Sequence, residues 1–487
     1  VRHFMLVRNP VAMLGAWEAV NDVHQEGPTL ESTCLVQMVQ LYSQIRAATG
    51  RPPVVVDADV LLQDPEAVLR ELCARLDMPF LPEMLTWPAG PKKVDGLWAP
   101  HWYATLHETT GFHAPSSVKY RQLSPEAIAV IREAMPFYEM LQREAIFVDR
   151  LSAGCSSLPP LVRPAAAEAS IVDHGMTMQA LPDDRNANIL VWVADRLVPR
   201  EMARVHVFDS SVQGGDAVWE GLRIYDGKVF KLEEHLARLR DSAHAMAFEG
   251  VPSMDFVKHA IFSTLSANGM TDGTHIRLTL SRGLKITSSM NPMFNRYGCC
   301  LIVLAEWKPV EGAATYDNSK GVKLITSTQR RLGPQFLDSK IHHNNLINNI
   351  LAKIQANYAG AADALMLDME GFVSETNATN VFAVKRGVVL TPHADYCLPG
   401  ITRATVMDVV RSLGIELVER RVSLVEFHTA DEVFTTGTMG ELTPVVSIDG
   451  RAIGEAQGMG PVTRTIQQAY RLLTETQGVP LPWLQEP

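Results

Sequence analysis

Cysteine is scarce and scattered. The 487 residues hold six, Cys34, Cys73, Cys155, Cys299, Cys300 and Cys397, and none forms a C-x-x-C pair. That spacing excludes a zinc ribbon, a thioredoxin-type redox motif and a disulfide framework. Such thiols read as buried or inert groups in a reducing compartment, here expected to be the cytoplasm. Long apolar runs are missing as well. None approaches the ~18–20 residues that a membrane helix needs, so no membrane partner is expected. The opening Val1-Arg2-His3 carries no secretory leader pattern, and a start without methionine reads as a trimmed N-terminus. Positive charge is in deficit: 44 Lys and Arg stand against 54 Asp and Glu, a formal net charge of -10. That balance excludes the basic face of a nucleic-acid binder but leaves room for a small anion held by a local cationic cluster. No short-period repeat is present.

What is there divides into blocks, because 487 residues exceed what one hydrophobic core supports. Residues 1–151 read as an α/β domain. Phe4–Val7 is a short apolar run followed by Arg8-Asn9-Pro10 and a helical pattern through Trp17. Val54–Asp57 reads as a buried strand. Asp64-Pro65-Glu66 starts a helix with proline in the first turn and apolar spacing at Leu69, Leu72 and Leu76. Residues 152–187 are rich in proline and alanine and read as a linker. The rest is mixed α/β and is expected as two subdomains, 188–318 and 319–487. The first has strands at Ile189–Val193, Val205–Phe208, Ile276–Leu280 and Cys300–Leu304, an Asp226-Gly227 hairpin, and a helix over Leu232–Met246. The second has a helix over Asn345–Ala359 and a hairpin turning at Glu370-Gly371. Strands follow at Val381–Val384, Val388–Thr391, Glu416–Val418 and Val433–Thr436, with a helix after Gly400. The expected fold class is thus α/β in the N-terminal block and α/β with α+β features beyond it.

Several residues could carry chemistry. Arg238, on a predicted helix, is a planar cation suited to a phosphate, although a lone helix arginine is more often a surface residue. Leu398-Pro399-Gly400-Ile401-Thr402-Arg403 opens a helix whose first N–H groups and dipole make an anion site, with Thr402 as a further donor. Taken alone, a capped helix explains it as well. Thr435–Thr438 is a second hydroxyl-rich turn. Lys340 lies in Asp338-Ser339-Lys340-Ile341-His342-His343-Asn344-Asn345, and a lysine that condenses with a carbonyl must be partly desolvated so that its neutral amine is accessible. His342 and His343 are adjacent and point apart, with no carboxylate at ligand spacing, so no metal is expected. Glu375 ends a strand, where a buried carboxylate could hold a proton on a pyridine nitrogen.

The order of these pieces carries more than any one of them. The segment Gly215-Asp216-Ala217-Val218-Trp219-Glu220-Gly221-Leu222-Arg223-Ile224-Tyr225-Asp226-Gly227 resembles the opening motif of the fold-type IV pyridoxal-phosphate aminotransferases. That family holds branched-chain aminotransferases, D-amino-acid aminotransferases and aminodeoxychorismate lyases. Glu234–Ala243 is similar to its phosphate-arginine helix, and Asn348–Lys353, Ala364–Asp368, Gly371–Asn380, Gly400–Arg403, Phe434–Val445 and Ile448–Arg451 continue the likeness in order, over roughly residues 188–475. The resemblance implies pyridoxal 5′-phosphate as cofactor and Lys340 as its lysine and proton carrier. It implies Glu375 at the pyridine nitrogen and Asn380 beside it. Arg238, Gly400, Ile401, Thr402 and Thr438 would hold the phosphate. Arg223, Tyr225, Met439 and Gly440 would face the substrate, with the turn Thr438-Met439-Gly440 offering N–H groups to its carboxylate. It also implies a homodimer acting on an amino acid and a 2-oxo acid such as 2-oxoglutarate.

Departures from the pattern bear on the substrate. Branched-chain aminotransferases usually have a tyrosine five residues after the lysine, where this chain has Asn345, and often two alanines where it has Met439-Gly440. Ser281-Arg282-Gly283 is followed by Leu284-Lys285-Ile286-Thr287, without the Arg and His of the D-specific enzymes. The expectation is a branched-chain-like L-amino-acid transaminase, with a D-amino-acid aminotransferase or a lyase of the aminodeoxychorismate type as alternatives. Arg8-Asn9-Pro10, Asp57–Phe80 and Trp98-Ala99-Pro100-His101-Trp102-Tyr103 resemble the latter part of a sulfotransferase. Arg8 matches that family's arginine, but eight residues later stands Ala16 and not serine, so a structural or docking role is expected for this block. A sulfotransferase-related protein with an auxiliary cofactor domain is the remaining alternative.

Overall fold

The computed structural model describes residues 3–20, 27–92, 95, 104–112, 122–146, 181–308, 318, 320–454 and 458–485. Two compact units part between Leu181 and Pro182. The Trp98–Tyr103 motif and the linker through residue 180 lie outside the described residues.

In the first unit, strand β1 (Phe4–Val7) pairs in parallel with β2 (Val54–Asp57), in the register Phe4↔Val54 to Val7↔Asp57. Parallel neighbours need a crossover, and the helices Pro10–Val20 and Leu35–Thr49 lie between them in sequence. Each helix start is encoded locally. The Asn9 side chain accepts from the Val11 N–H at 2.8 Å. The Asp64 side chain accepts from the Ala67 N–H ahead of the Pro65–Arg75 helix. Val56, Val68, Leu72 and Ile146 form a core cluster beside β2. Asp57 is buried at the end of β2 and receives the Tyr138 hydroxyl at 2.6 Å from the helix Pro125–Arg143. Tyr138→Phe leaves that carboxylate one donor short. The expected loss is about 1–3 kcal/mol, read as earlier amide exchange across Val54–Asp57. Arg8 is exposed just past β1.

The second unit holds two sheets. Among the described residues, the first runs β18-β6-β5-β7-β8-β3-β4: β3 is Leu190–Val193, β4 Arg196–Pro199, β5 Ala217–Tyr225, β6 Lys228–Val229, β7 Thr274–Ser281, β8 Cys300–Trp307 and β18 Val479–Pro480. β5 turns into β6 through Asp226 and Gly227, whose φ angles of 42° and 71° are the left-handed pair that a two-residue hairpin demands. Opposite residues share a face, and the pairing of Trp219 with Thr279, Gly221 with Arg277 and Arg223 with His275 puts Trp219, Arg223, His275 and Arg277 together on one side. The other side, with Val218, Leu222, Ile224, Ile276, Leu278 and Leu280, is buried.

The second sheet runs β11-β10-β9-β16-β15-β12-β13-β14, with β17 on β16. Here β9 is Val322–Arg330, β10 Asp363–Leu367, β11 Val373–Thr376, β12 Asn380–Lys385, β13 Val388–Thr391, β14 Leu417–Glu419, β15 Glu432–Gly437, β16 Glu441–Ile448 and β17 Arg451–Ala452. β12 is apolar on both faces because both are covered. Val381 and Ala383 join one core cluster with Phe427, while Phe382 and Val384 join another with Val406, Val410, Ile466 and Tyr470 from the helices Ile401–Ser412 and Pro461–Thr476. Phe382 stacks on its β15 neighbour Phe434 with centroids 5.0 Å apart.

Two expectations need correction. Val205–Phe208 is not a strand: it ends in a turn in which the Asp209 N–H bonds the His206 carbonyl. Its alternating valines mimic strand spacing, but Val207 is 67% exposed, and Asp209 instead caps the short helix Ser210–Gly214. The end of the expected linker is ordered too. Residues Asp184–Asn188 form a 3-10 turn, and the Asn186 side chain exchanges two hydrogen bonds with the Trp307 backbone at 2.8 and 2.9 Å.

Candidate active site

The site begins with a buried charge. Glu220 points from β5 toward the helix Leu232–Ala245 and is wholly buried. Its carboxylate takes a bidentate fork from Arg238, at 2.8 Å to Nε and 2.7 Å to Nη2. The His235 Nδ1 lies at 2.7 Å and the His342 Nδ1 at 3.2 Å. Burial opposes ionisation here, but the hydrogen bonds from Arg238, His235 and His342 win and hold the carboxyl well below the usual range. The free edge of Arg238 donates from Nη1 to the Pro399 carbonyl at 3.0 Å. That contact sets the guanidinium at the mouth of the Ile401–Ser412 helix. Gly400 is its N-cap, with no side-chain cap, and first-turn N–H groups have no carbonyl to bond within a helix. A Cβ on Gly400 would collide with the Asn380 side chain, so a larger residue there would displace Asn380 from its place.

Asn380 carries the path onward. Its Nδ2 donates to the Leu398 carbonyl at 2.9 Å and to Glu375 Oε2 at 3.1 Å. Glu375, on β11, is buried and paired with Arg331 at 2.7 Å. Burial raises the Glu375 carboxyl above its ordinary value, against the pull of Arg331 and the Leu398 N–H. Arg331 begins the loop that carries Lys340. In that loop the Ser339 hydroxyl donates to the Leu332 carbonyl at 2.7 Å and the Lys340 N–H donates to Asp338 at 3.0 Å. The segment after Lys340 is laid against β5: the Trp219 N–H donates to the His342 carbonyl, the Asn344 N–H donates to the Ala217 carbonyl, and Val218 pairs with His343. The contacts close a circuit through Arg238, Pro399, Asn380, Glu375, Arg331, the lysine loop, His342 and Glu220. Lys340 sits on its rim with an exposed side chain, where a partly desolvated amine was expected.

A second group adjoins the β15–β16 turn, which holds Thr438, Met439 and Gly440. Arg223 Nη1 donates to the Met439 carbonyl at 2.9 Å and to Glu441 at 3.0 Å, and its guanidinium carbon lies 4.9 Å from the Tyr225 ring centre. Burial pushes the Tyr225 hydroxyl far above the usual value, and the neighbouring Tyr470 and Glu441 add to the shift. Thr436, opposite Asn380, has a buried hydroxyl with no hydrogen-bond partner. A cation and open helix N–H groups at one end, a buried carboxylate at the other, a lysine on the rim and an unsatisfied hydroxyl together fit a phosphorylated pyridine.

Sequence reading missed Glu220, Arg331 and Arg277 as site residues, and weighed His342 only as a metal ligand. Arg277 stands 3.4 Å over the Trp219 ring and donates to Asn344 at 2.8 Å. Glu220 lay inside a quoted motif, but its partner His342 is 122 residues away. Asn345 is exposed, and its backbone lies against Gly215. Among the described residues, no group of three or more His, Cys, Asp or Glu could hold a metal, and no helix is long and apolar enough to cross a membrane.

The same face supplies a pH effect. His275 is held down to about 3 by burial, then by Lys308, Arg277 and Arg223, and His342 to about 4 by burial, Arg238 and Arg277 outweighing Glu220. An unfolded histidine takes its proton near 6.5, so between that value and about 4 the unfolded chain binds more protons than the folded one. Stability is therefore intact above 6.5 and erodes as pH falls. The urea midpoint is expected to drop steadily from pH 7 to pH 5, and less steeply in His275→Asn.

An arginine at a glycine-opened helix start, a buried carboxylate and a loop lysine, beside one antiparallel and one mixed sheet, form the arrangement expected of a class IV aminotransferase. The family model "Amino-transferase class IV" matches residues 217–448, and the model "Sulfotransferase domain" matches residues 1–145. Branched-chain-amino-acid aminotransferase-like protein 1 of Arabidopsis thaliana is 55% identical over the whole of this chain, which covers 82% of it. The crystal structure of the Escherichia coli branched-chain amino acid aminotransferase superposes with a TM-score of 0.56 at 33% identity, over 60% of this chain and 96% of that one. The branched-chain amino acid aminotransferase from Thermoproteus uzoniensis, solved with norvaline, gives 0.54 at 30%, over 60% and 96%. The chain belongs to the class IV aminotransferases, among the branched-chain-amino-acid aminotransferase-like proteins that carry a sulfotransferase-like domain ahead of the aminotransferase.

Proposed function

We propose that this chain moves the amino group of a branched-chain L-amino acid to a 2-oxo acid such as 2-oxoglutarate. Its cofactor is pyridoxal 5′-phosphate. The observation that carries the reading is the closed circuit that links Arg238 and the Gly400 turn to Glu375 and the Lys340 loop. When bound, the cofactor supplies a carbonyl that takes up the amine and a ring that accepts the electron pair released at the substrate carbon. Arg238, the Ile401 and Thr402 N–H groups and Thr438 hold the phosphate. Glu375 keeps a proton at the pyridine nitrogen as a buried carboxylate, and the Arg331 guanidinium and the donor from Asn380 favour its ionised form against burial. Lys340 would hold the cofactor at its carbonyl carbon, with loss of water, and would move the proton between the substrate carbon and the cofactor carbon. Arg223 and Tyr225 brace the turn whose Met439 and Gly440 N–H groups meet the substrate carboxylate.

The proposal extends to the surroundings. Residues 188–318 and 319–487 form the small and large subdomains, and two chains assemble as a homodimer. The described cysteines are free thiols, in keeping with the cytoplasm. Absorbance of the purified protein tests the function: a visible band with pyridoxal phosphate, bleached by L-leucine and restored by 2-oxoglutarate, is the expected result. A band that L-leucine leaves alone but a D-amino acid bleaches, or pyruvate released without an acceptor, would overturn the substrate assignment.

A further inference from the structure

Two residues past Lys340, His342 occupies a position that neither the phosphate grip nor the lysine chemistry uses directly. Its ring lies 4.0 Å from the Trp219 ring, tilted by 39°. Trp219 is covered on another side by Arg277 at 3.4 Å. The His342 backbone is fixed twice, by its N–H to the Ser242 hydroxyl at 3.1 Å and by its carbonyl to the Trp219 N–H at 2.9 Å. The ring is thus held by three elements, β5, the Leu232–Ala245 helix and its own loop. Its Nδ1 faces Glu220 Oε1 at 3.2 Å and Arg238 Nη2 at 3.4 Å. The carboxylate is the nearer partner, so the tautomer that fits carries its proton on Nδ1 and donates to Glu220 rather than accepting from Arg238. Glu220 then receives Arg238 Nε, Arg238 Nη2, His235 Nδ1 and His342 Nδ1. Four donors fill a carboxylate's lone pairs and leave it one orientation.

We propose that His342 is a positioning residue: through the shared Glu220 carboxylate it locks the Arg238 guanidinium in the orientation that receives the cofactor phosphate, and so ties the phosphate end of the site to the loop that carries Lys340. The inference rests on the phosphate role assigned to Arg238 above. Burial first, then Arg238 and Arg277, hold the imidazole to about 4, with Glu220 pulling the other way, so the ring is a neutral donor and adds no second cation beside Arg238. Without it, Glu220 keeps an unfilled lone pair and the fork can rotate away from the Gly400 turn.

The test compares two ligands on the full-length apoprotein, pyridoxal phosphate and pyridoxal, which lacks the phosphate. His342→Phe keeps a ring against Trp219 and removes the donor. It is expected to raise the Kd for pyridoxal phosphate by about tenfold and to leave the Kd for pyridoxal unchanged. His342→Asn, whose amide N–H stands near the Nδ1 position, is expected to recover the pyridoxal phosphate affinity to within about threefold of wild type. If His342→Phe does not fold, His342→Gln, with its donor one bond further out, is held to the same two criteria. Equal losses for both ligands, no loss for either, or an asparagine variant as weak as the phenylalanine one would overturn the inference while leaving the aminotransferase reading intact. A wild-type protein that takes up neither ligand would overturn that reading, and this inference with it.

Discussion

Lys340→Ala is expected to lower kcat by about 10⁴-fold or more, because in the proposed function one side chain both attaches the cofactor and shuttles the proton, and positioned proton transfer alone contributes about 10²–10⁴. The fold should be indifferent. The Lys340 side chain is exposed, and what holds the loop is the backbone N–H on Asp338, the Ser339 hydroxyl on Leu332 and the pairing of His343 with Val218. The change in unfolding free energy should stay within about 0.5 kcal/mol. The visible band of the wild type should vanish, while the phosphate grip at Arg238 and Gly400 still retains free cofactor. Partial return of turnover on adding a small primary amine would show that the missing group is the amine. A variant with more than a hundredth of wild-type kcat would remove Lys340 from the chemistry.

The second large effect belongs to Glu375, where two substitutions separate charge from shape. Glu375→Gln keeps the volume and an acceptor for Asn380 but cannot hold a charge opposite a protonated ring nitrogen. A loss of about 10²–10³ in kcat is expected, as when one preorganised electrostatic partner is removed. Glu375→Ala also removes the whole acceptor side chain from Arg331, which is 8% exposed at its side chain and pairs with Glu375 at 2.7 Å, and leaves it the Asn349 side chain at 2.9 Å. Breaking a buried pair costs about 3–5 kcal/mol, so this variant should lose stability as well as activity. Unfolding midpoints and single-turnover rates for both variants decide the matter. Equal stability of the two would mean that the Arg331 hydrogen bond to Asn349, at 2.9 Å, is enough to hold that cation, and wild-type kcat in the glutamine variant would refute the role at the ring.

Local chemistry made much of this legible from sequence. The Asp226-Gly227 turn, the Asp64-Pro65 helix start and the glycine-opened helix at Ile401 each depend on residues within a few positions of one another, and each is found where the pattern puts it. The family resemblance extended that reach, since its motifs carry the order of the chain through the class IV region. Val205–Phe208 failed because alternation says only that a strand could form, and Asp209 found a better use for that backbone as a helix cap. The side-chain circuit was out of reach for a different reason. Glu220 meets His342, and Arg331 meets Glu375, across long stretches of chain, and no local pattern encodes which buried cation will find which carboxylate.

The strip of backbone after Lys340 has a role beyond holding an amine. By bonding Ala217 and Trp219 and pairing with Val218, it occupies an edge of β5 along a stretch that β6, which starts its pairing only at Ile224, does not reach. Cut the chain between the two sheets and that edge is left bare, with a row of unsatisfied N–H and C=O groups flanked by valine and tryptophan. Bare edges recruit other strands. The first half made by itself should therefore clump, and mixing in the second half should keep it dispersed by returning the missing strip.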